Sequence, residues 1–389
     1  MPDGREAISV RIAQSFGEID AEAWDACVGN ADPFVRHAFL SALEDSGSAT
    51  AETGWVGHHL VIEDGDGHHL AQAPLYLKTH SYGEYVFDWG WADAYERAGG
   101  EYFPKLLCAV PFTPAAGPRL MTRPGLGDEQ ARELRAALAA AMVQIADQMK
   151  ASSVHVNFLP EADWRQLGDM GYLQRQGQQF HWLNDGYESF DDFLATLASR
   201  KRKNIRKERA RVAEAGLDIR ALTGAEITEA HWDAFYRFYR DTSDRKWGSA
   251  YLTREFFSLL SERAGDAVVL IYAEMDGLPI AGALNLVGAD VLYGRNWGCD
   301  ANFKFLHFEA CYYQAIDYAI AHDLKRVEAG AQGPHKIQRG YLPAPTYSAH
   351  WIAHPGLRDA IDRFLADERL GIEHEMKVLS EHSPFRKSD

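Results

Sequence analysis

Two stretches 208 residues apart read alike. "YVFDWGWADAY" (Tyr85 to Tyr95) and "LYGRNWGCDANF" (Leu292 to Phe303) share a Trp-Gly pair, Trp89-Gly90 in the first and Trp297-Gly298 in the second. Upstream of them lie "HHLVIEDGDGHHLAQAPLYL" and "VVLIYAEMDGLPIAGALNLV", each two β-rich apolar runs around a Gly-containing turn. An amphipathic helical stretch precedes each ("AEAWDACV", "EAHWDAFYRFY") and another helix follows. An internal duplication commits the chain to building one architecture twice. The expectation is therefore an α/β (α+β) fold of two tandem domains, each a central mixed sheet flanked by helices. The boundaries expected are 1–185 for the first, 217–389 for the second, and a basic connecting helix over 186–216.

That connecting segment reverses the charge of the chain. The formal net charge is −16, yet eight of the twelve residues from Arg200 to Arg211 are Lys or Arg. Phe190, Phe193, Leu194, Leu197, Ile205 and Val212 recur near helical spacing, and Gly216 ends the run. The acidic balance argues against broad nucleic-acid binding, whereas the local cations suit phosphates, with Lys203 and Arg206 as representative contacts. The same run also reads as a solvated face. The four cysteines are scattered, with no C-x-x-C pair, so neither a disulfide framework nor a zinc site is expected. Cys299 reads as core. The start "MPDGREAISV" carries acids and no apolar core, and no apolar run approaches a membrane span, so a cytoplasmic protein is expected. His58, His59, His68 and His69 flank a tight turn, but a polar hairpin tip explains them, and no metal is expected.

The stretch with the most chemistry is "EAGAQGPHKIQRGYLP", Glu328 to Pro343. It follows "FKFLHFEACYYQAIDYAIAH", a helix between two short strands. Strand, helix and parallel strand place ligands at the strand ends. In acetyl-CoA users the loop before such a helix is glycine-rich, so that backbone N–H groups hold a pyrophosphate. Here it is "CDANFKF", which counts against acetyl-CoA.

The duplicated unit, "RKRKNIRKERARVAEAGL" and "GAQGPHKIQRGYLP" together resemble the FemAB-like predicted N-acyltransferases, within the Gcn5-related acyltransferase superfamily. The resemblance covers most of the chain. It implies two acyltransferase-type domains, an aminoacyl-tRNA donor, and an amine on a peptidoglycan precursor as acceptor. It also implies a lysine shortly after a Gly-rich strand end, the place held by Lys336. The chain departs from the family in lacking an inserted coiled-coil arm and in setting His335 beside that lysine.

Forming an amide from an ester or thioester needs a deprotonated amine, a stabilised oxyanion and aligned reactants. Lys336 or Arg339 suits an oxyanion or phosphate, and His335 or Glu328 a proton. Glycines such as Gly333 and Gly340 allow close backbone approach. Gln332, Tyr341, Tyr293, Asn296 and Trp297 complete the substrate-binding candidates. The second domain is expected to do the work, because the first has no counterpart of "GPHKIQRG". The expected reaction joins an aminoacyl or acyl group to a peptide or small-molecule amine, with the acceptor end of tRNA as possible partner and no cofactor beyond the donor. The alternatives are an acyl-CoA-dependent N-acyltransferase, or a non-catalytic binder of peptidoglycan or anionic polymers.

Overall fold

The computed structural model of the chain describes residues 9–29, 32–247, 250–300, 303–331 and 333–386. They divide into two compact units, Met1–Gly177 with Thr346–Leu370, and Gln178–Pro345 with Gly371–Asp389. The division differs from the simple halves expected from sequence. Unit 1 takes back a late strand and the first half of the last helix, and the basic segment belongs wholly to unit 2.

Unit 1 contains strands β1 (Val10–Ala13), β2 (Trp55–Gly57), β3 (His59–Glu63), β4 (His69–Ala73), β5 (Leu75–Lys78), β6 (Lys105–Cys108), β7 (Met121–Thr122) and β8 (Ser153–Leu159), and the first half of β9 (Leu173–Leu183). Its helices are α1 (Ala21–Val28), α2 (His37–Asp45), α3 (Trp89–Arg97), α4 (Asp128–Met149) and α5 (Glu161–Asp169). One antiparallel sheet runs β1-β3-β4-β7. In the other, β2, β5 and β6 pair antiparallel, and β6 pairs parallel with β8. The crossover between those parallel strands is α4, whose Leu134, Leu138, Met142 and Ile145 fall on one helical face and pack on Leu106, Val154 and Val156.

Unit 2 contains α6 (Phe190–Thr196), α7 (Ser199–Ala213), α8 (Glu229–Trp247) and α9 (Arg254–Ala264), with strands β10 (Asp218–Thr223), β11 (Val268–Met275), β12 (Leu278–Val287) and β13 (Val291–Cys299). Then come α10 (Leu306–Phe308), a π-helical turn Glu309–Tyr313, α11 (Gln314–Ala321), β14 (Arg326–Glu328) and a 3₁₀ turn Pro334–Arg339. Strands β10 to β13 form an antiparallel meander, β13 pairs parallel with β14, and β14 pairs antiparallel with the end of β9. Ile316, Ala319 and Ile320 of the crossover helix pack on Leu292 and Val327. Each unit is thus a mixed sheet flanked by helices with one parallel strand–helix–strand step. The chain closes with β15 (Leu342–Ile352) and α12 (Pro355–Glu381), both of which pass from one unit into the other.

The Trp-Gly correspondence is not structural. Trp297-Gly298 lies in strand β13, whereas Trp89-Gly90 opens helix α3, and Trp89 is 40% exposed. Trp91, Ala92 and Tyr95 have the spacing of a helix face, and this pattern governs the segment. The strand–turn–strand reading holds in both copies. The basic segment is two helices rather than one, parted at Leu197-Ala198. The hairpin histidines are occupied locally: His59 meets the Glu44 carboxylate at 2.8 Å, and His69 the Gln72 amide oxygen at 3.0 Å. Asp64, Asp66 and His68 come together only at the exposed turn.

Unit 1 also buries charge. Lys105, wholly inside, donates to Ser81 and Glu84 at 2.8 Å each and to Asp88. Tyr102 donates to the same Asp88 at 2.8 Å. Burial alone would raise the Asp88 carboxyl, but the Lys105 ammonium beside it outweighs burial and holds the group well below the usual range. Burial drives His155 down to about 3, so this imidazole is neutral. Removing one partner of such a cluster strands the others without water. Lys105→Met is therefore expected to cost about 3–5 kcal/mol in urea unfolding, while Arg97→Ala, which removes the exposed Arg97–Asp93 pair, should cost less than about 1 kcal/mol.

Candidate functional site

The site forms where β13 and β14 part. The parallel register runs Val291 with Arg326, Leu292 with Val327 and Tyr293 with Glu328, and there β14 ends. Beyond that point β13 carries one extra residue against β12: Asn285 pairs with Gly294 but Ala283 pairs with Trp297. The bulge falls at Arg295 and Asn296 and re-aims side chains at the open end of the sheet. The continuing chain stays on β9 for two more residues, with Ala329 N–H donating to Phe180 at 3.1 Å and Phe180 N–H to Gly330 at 3.2 Å. It then enters the 3₁₀ turn through Gly333 (φ +105°) and leaves it through Gly340 (φ +88°). Side chains do not fit at either position. A Cβ at Gly333 would lie 2.3 Å from the His335 ring, and one at Gly340 2.8 Å from the Phe193 ring.

Lys336 points inward from this turn and is 4% exposed. Its ammonium donates to the carbonyls of Ala329 and Gly330, the latter at 3.1 Å, and stands 5.8 Å from the Phe180 ring centroid. Burial lowers it to about 8. His335 is on the outer side of the same turn, exposed, with Nε2 3.1 Å from the Tyr312 hydroxyl and its ring against Phe308. Burial first, then Arg339 and Lys336, lower its pKa, which favours the neutral ring. Tyr312 belongs to the π-helical turn, an irregularity that recurs at functional sites.

The other sequence candidates divide. Arg339 is buried and committed to protein: it donates to the carbonyl of His335 at 2.9 Å and to both Glu208 oxygens at 3.0 and 2.9 Å, and its guanidinium lies 3.5 Å from the Phe308 ring centroid. Glu328 is buried at the end of β14, accepts from Arg326 at 2.9 Å and faces His181 at 3.8 Å. Tyr341 is buried and donates to the Tyr312 carbonyl at 3.1 Å. Tyr293 is buried within β13, paired in register with Glu328, whereas Asn296 and Trp297 are half-buried along the bulge. Gln332 lies outside the described residues. On the basic helix Lys203 is exposed, and Arg206 is exposed and paired with Asp191 at 2.7 Å. Cys299 is half-buried beside Ala281 and Leu306.

Sequence reasoning did not single out Glu208, His181, Tyr312 or Tyr313. Glu208 is the one acid in Ser199–Arg211, and that isolation is the available signal. Burial takes His181 down to about 3, helped by Arg326 and Lys336, so the group facing Glu328 is a neutral imidazole.

A family profile for FemAB-like proteins, described as peptidoglycan biosynthesis/recognition, matches residues 15–387. The chain belongs to the FemAB-like family. No curated protein matches it by sequence. Among solved structures it is similar to FemX, at 14% identity and a TM-score of 0.56, over 88% of this chain and 98% of that one. It is also similar to the C-terminal domain of a putative lysylphosphatidylglycerol synthetase from Agrobacterium fabrum, at 11% identity and TM-score 0.54, over 89% and 96% of the two chains. L-PGS from Bacillus licheniformis matches at 10% identity and TM-score 0.50, over 86% and 98%. This FemAB-like chain shares its fold with those solved structures, and each of its two units is built on a mixed sheet flanked by helices. Among the described residues no helix is long and apolar enough to cross a membrane.

Lys336 gives the site a stability signature. Its folded value, about 8, lies below the ordinary lysine value of about 10.4. Between those values the unfolded chain holds the extra proton, so folding is penalised below about pH 8 and the penalty fades as pH rises toward about 10.4. The stability difference between wild type and Lys336→Met, from urea titrations, should therefore grow in favour of wild type across pH 8 to 10.4; a flat difference would mean that the lysine is solvated.

Proposed function

We propose that this FemAB-like chain is an N-acyltransferase that moves an aminoacyl group from an aminoacyl-tRNA to an amine on a peptide or peptidoglycan precursor, with its reaction centre on the Pro334–Arg339 turn of unit 2. The observation that carries the reading is Lys336: a nearly buried ammonium, held on two backbone carbonyls and flanked by an exposed neutral imidazole. Family membership supports peptidoglycan chemistry, and a domain of like fold belongs to a putative lysylphosphatidylglycerol synthetase, a name that couples a lysyl group to a lipid.

In this reading the amine attacks the ester carbonyl, and the developing oxyanion is met by the Lys336 ammonium in a site with little water, where a fixed charge acts most strongly. His335, neutral near pH 7, takes the proton from the attacking amine through its free ring nitrogen or through Tyr312. The ester oxygen of the ribose leaves with a proton and the amide remains. No cofactor beyond the donor is required. The exposed cations of α7, Lys203 and Lys207 among them, meet donor phosphates.

Incubation with charged tRNA or acyl-CoA and an amine pool, followed by mass spectrometry, tests this directly. Amide from charged tRNA alone supports the reading, amide from acyl-CoA alone replaces the donor, and no product from either leaves a binding protein. Lys336→Met should fold and lose roughly a hundredfold or more in kcat. The wild-type rate should fall above about pH 8, as the ammonium is lost, and Lys336→Arg should remove that limb.

The basic helix has its own test. Changing Lys203 and Lys207 to Gln should flatten the log–log salt dependence of donor binding by roughly 0.7 per contact for a single strand, with the melting temperature nearly unchanged. Identical donor binding at low salt would leave those cations as a solvated face.

A further inference from the structure

The run Ser199–Arg211 holds one acid among its cations, and this acid is turned inward. The Glu208 carboxylate accepts from Arg339 Nη2 at 3.0 and 2.9 Å and from the Tyr313 hydroxyl. Arg339 in turn donates through Nη1 to the carbonyl of His335. Seven residues earlier on the same helix face, about two turns away, Lys201 donates to the Gln338 side chain. Helix α7 therefore touches both the turn that carries His335 and Lys336 and the π-helical turn that carries Tyr312.

We infer that Glu208 is a positioning residue: by neutralising and orienting Arg339 it fixes the turn that holds Lys336 and His335 against Tyr312. The inference rests on reading that turn as the reaction centre. Three observations favour it. The turn is only six residues of 3₁₀ helix, with poor internal hydrogen-bond geometry, so its placement depends on ties from outside. Arg339 is nearly buried, and a buried guanidinium requires a counter-charge, which Glu208 supplies with both carboxylate oxygens on Nη2. Finally, α7 does not need Glu208 in order to dock. Ile205 and Val212 are buried, and Arg209 bridges Glu309 at 3.0 Å and Asp317 at 2.6 Å. What Glu208 adds is aimed at the turn.

The consequence for anion binding is specific. With Arg339 paired to Glu208, Lys336 is the cation of the turn left to meet a developing negative charge. Arg339 acts on the reaction only through the backbone of His335.

The test is Glu208→Gln, which keeps the size and removes the charge, read in two independent ways. The amides of Lys336, Gly340 and Tyr341 are bonded to the carbonyls of Gly333, Ile337 and Lys336 at 3.0, 3.0 and 3.3 Å. Their hydrogen exchange should quicken at least about tenfold while the core strands stay protected. In the transfer assay kcat should fall about 10- to 100-fold with both KM values within about twofold, the split expected when reacting groups are misplaced rather than substrates unbound. Unchanged exchange at those amides in a folded Glu208→Gln protein overturns the inference whatever the activity, and so does wild-type kcat. If the single variant folds poorly, Glu208→Gln/Arg339→Met leaves no buried charge unpaired, and the same two readings decide. A wild type that forms no amide from either donor would overturn the reaction instead, and the exchange arm alone would then judge Glu208.

Discussion

An ammonium taken out of water must find oxygen atoms elsewhere, and the end of β14 is where this chain provides them. The parallel pair β13–β14 lasts three residues, after which the carbonyls of Ala329 and Gly330 become available to Lys336 seven and six positions later. The turn that makes this return possible needs Gly333 and Gly340, where a side chain would strike His335 or Phe193. The position of His335, the burial of Arg339 and the contact with the π-helical turn all follow from that one reversal of the chain. The same desolvation that lowers the lysine also strengthens its field on anything that reaches it.

Charge counting alone misjudges α7. Its sequence suggests a uniform cationic face, but the cations have different tasks. Arg209 is spent on Glu309 and Asp317, Lys201 on Gln338 and Arg206 on Asp191. The solvated remainder is smaller than eight residues suggest, and the acid that looks like an interruption reaches both Arg339 of the candidate turn and Tyr313 of the π-helical turn. A single opposite charge inside a run is informative because burial must be compensated, whereas one more like charge on a surface costs little.

Most of the scaffold was legible from local pattern. The two hairpins, the crossover helices, the Gly-rich strand end and the family resemblance were all readable, because periodicity and turn chemistry act over a few residues. The Trp-Gly match misled for the same reason: two residues cannot distinguish a strand from a helix start, and the spacing of Trp91, Ala92 and Tyr95 decides it. Long-range partners were not legible. Lys105 with Asp88, and Arg339 with Glu208, are 17 and 131 positions apart, and only the fold brings them together. Of the site, the turn and its residue types could be read in advance; which cation stays available and which is consumed could not.

The sharing of β9, β15 and α12 between the units has a consequence for synthesis. Unit 1 is completed by Thr346–Leu370, and unit 2 by the residues that follow Gly371. A ribosome that has delivered the first 177 residues has made most of a domain but not β15, which supplies the antiparallel neighbour of β8 from Tyr347 to Ile352. Until the last tenth of the chain emerges, β8 remains an edge with unpaired N–H and C=O groups, the kind of surface that invites wrong partners. The order of translation and the order of closure are therefore opposed. The first unit begun must wait for nearly the whole message to be read before its own late strand can cover that edge.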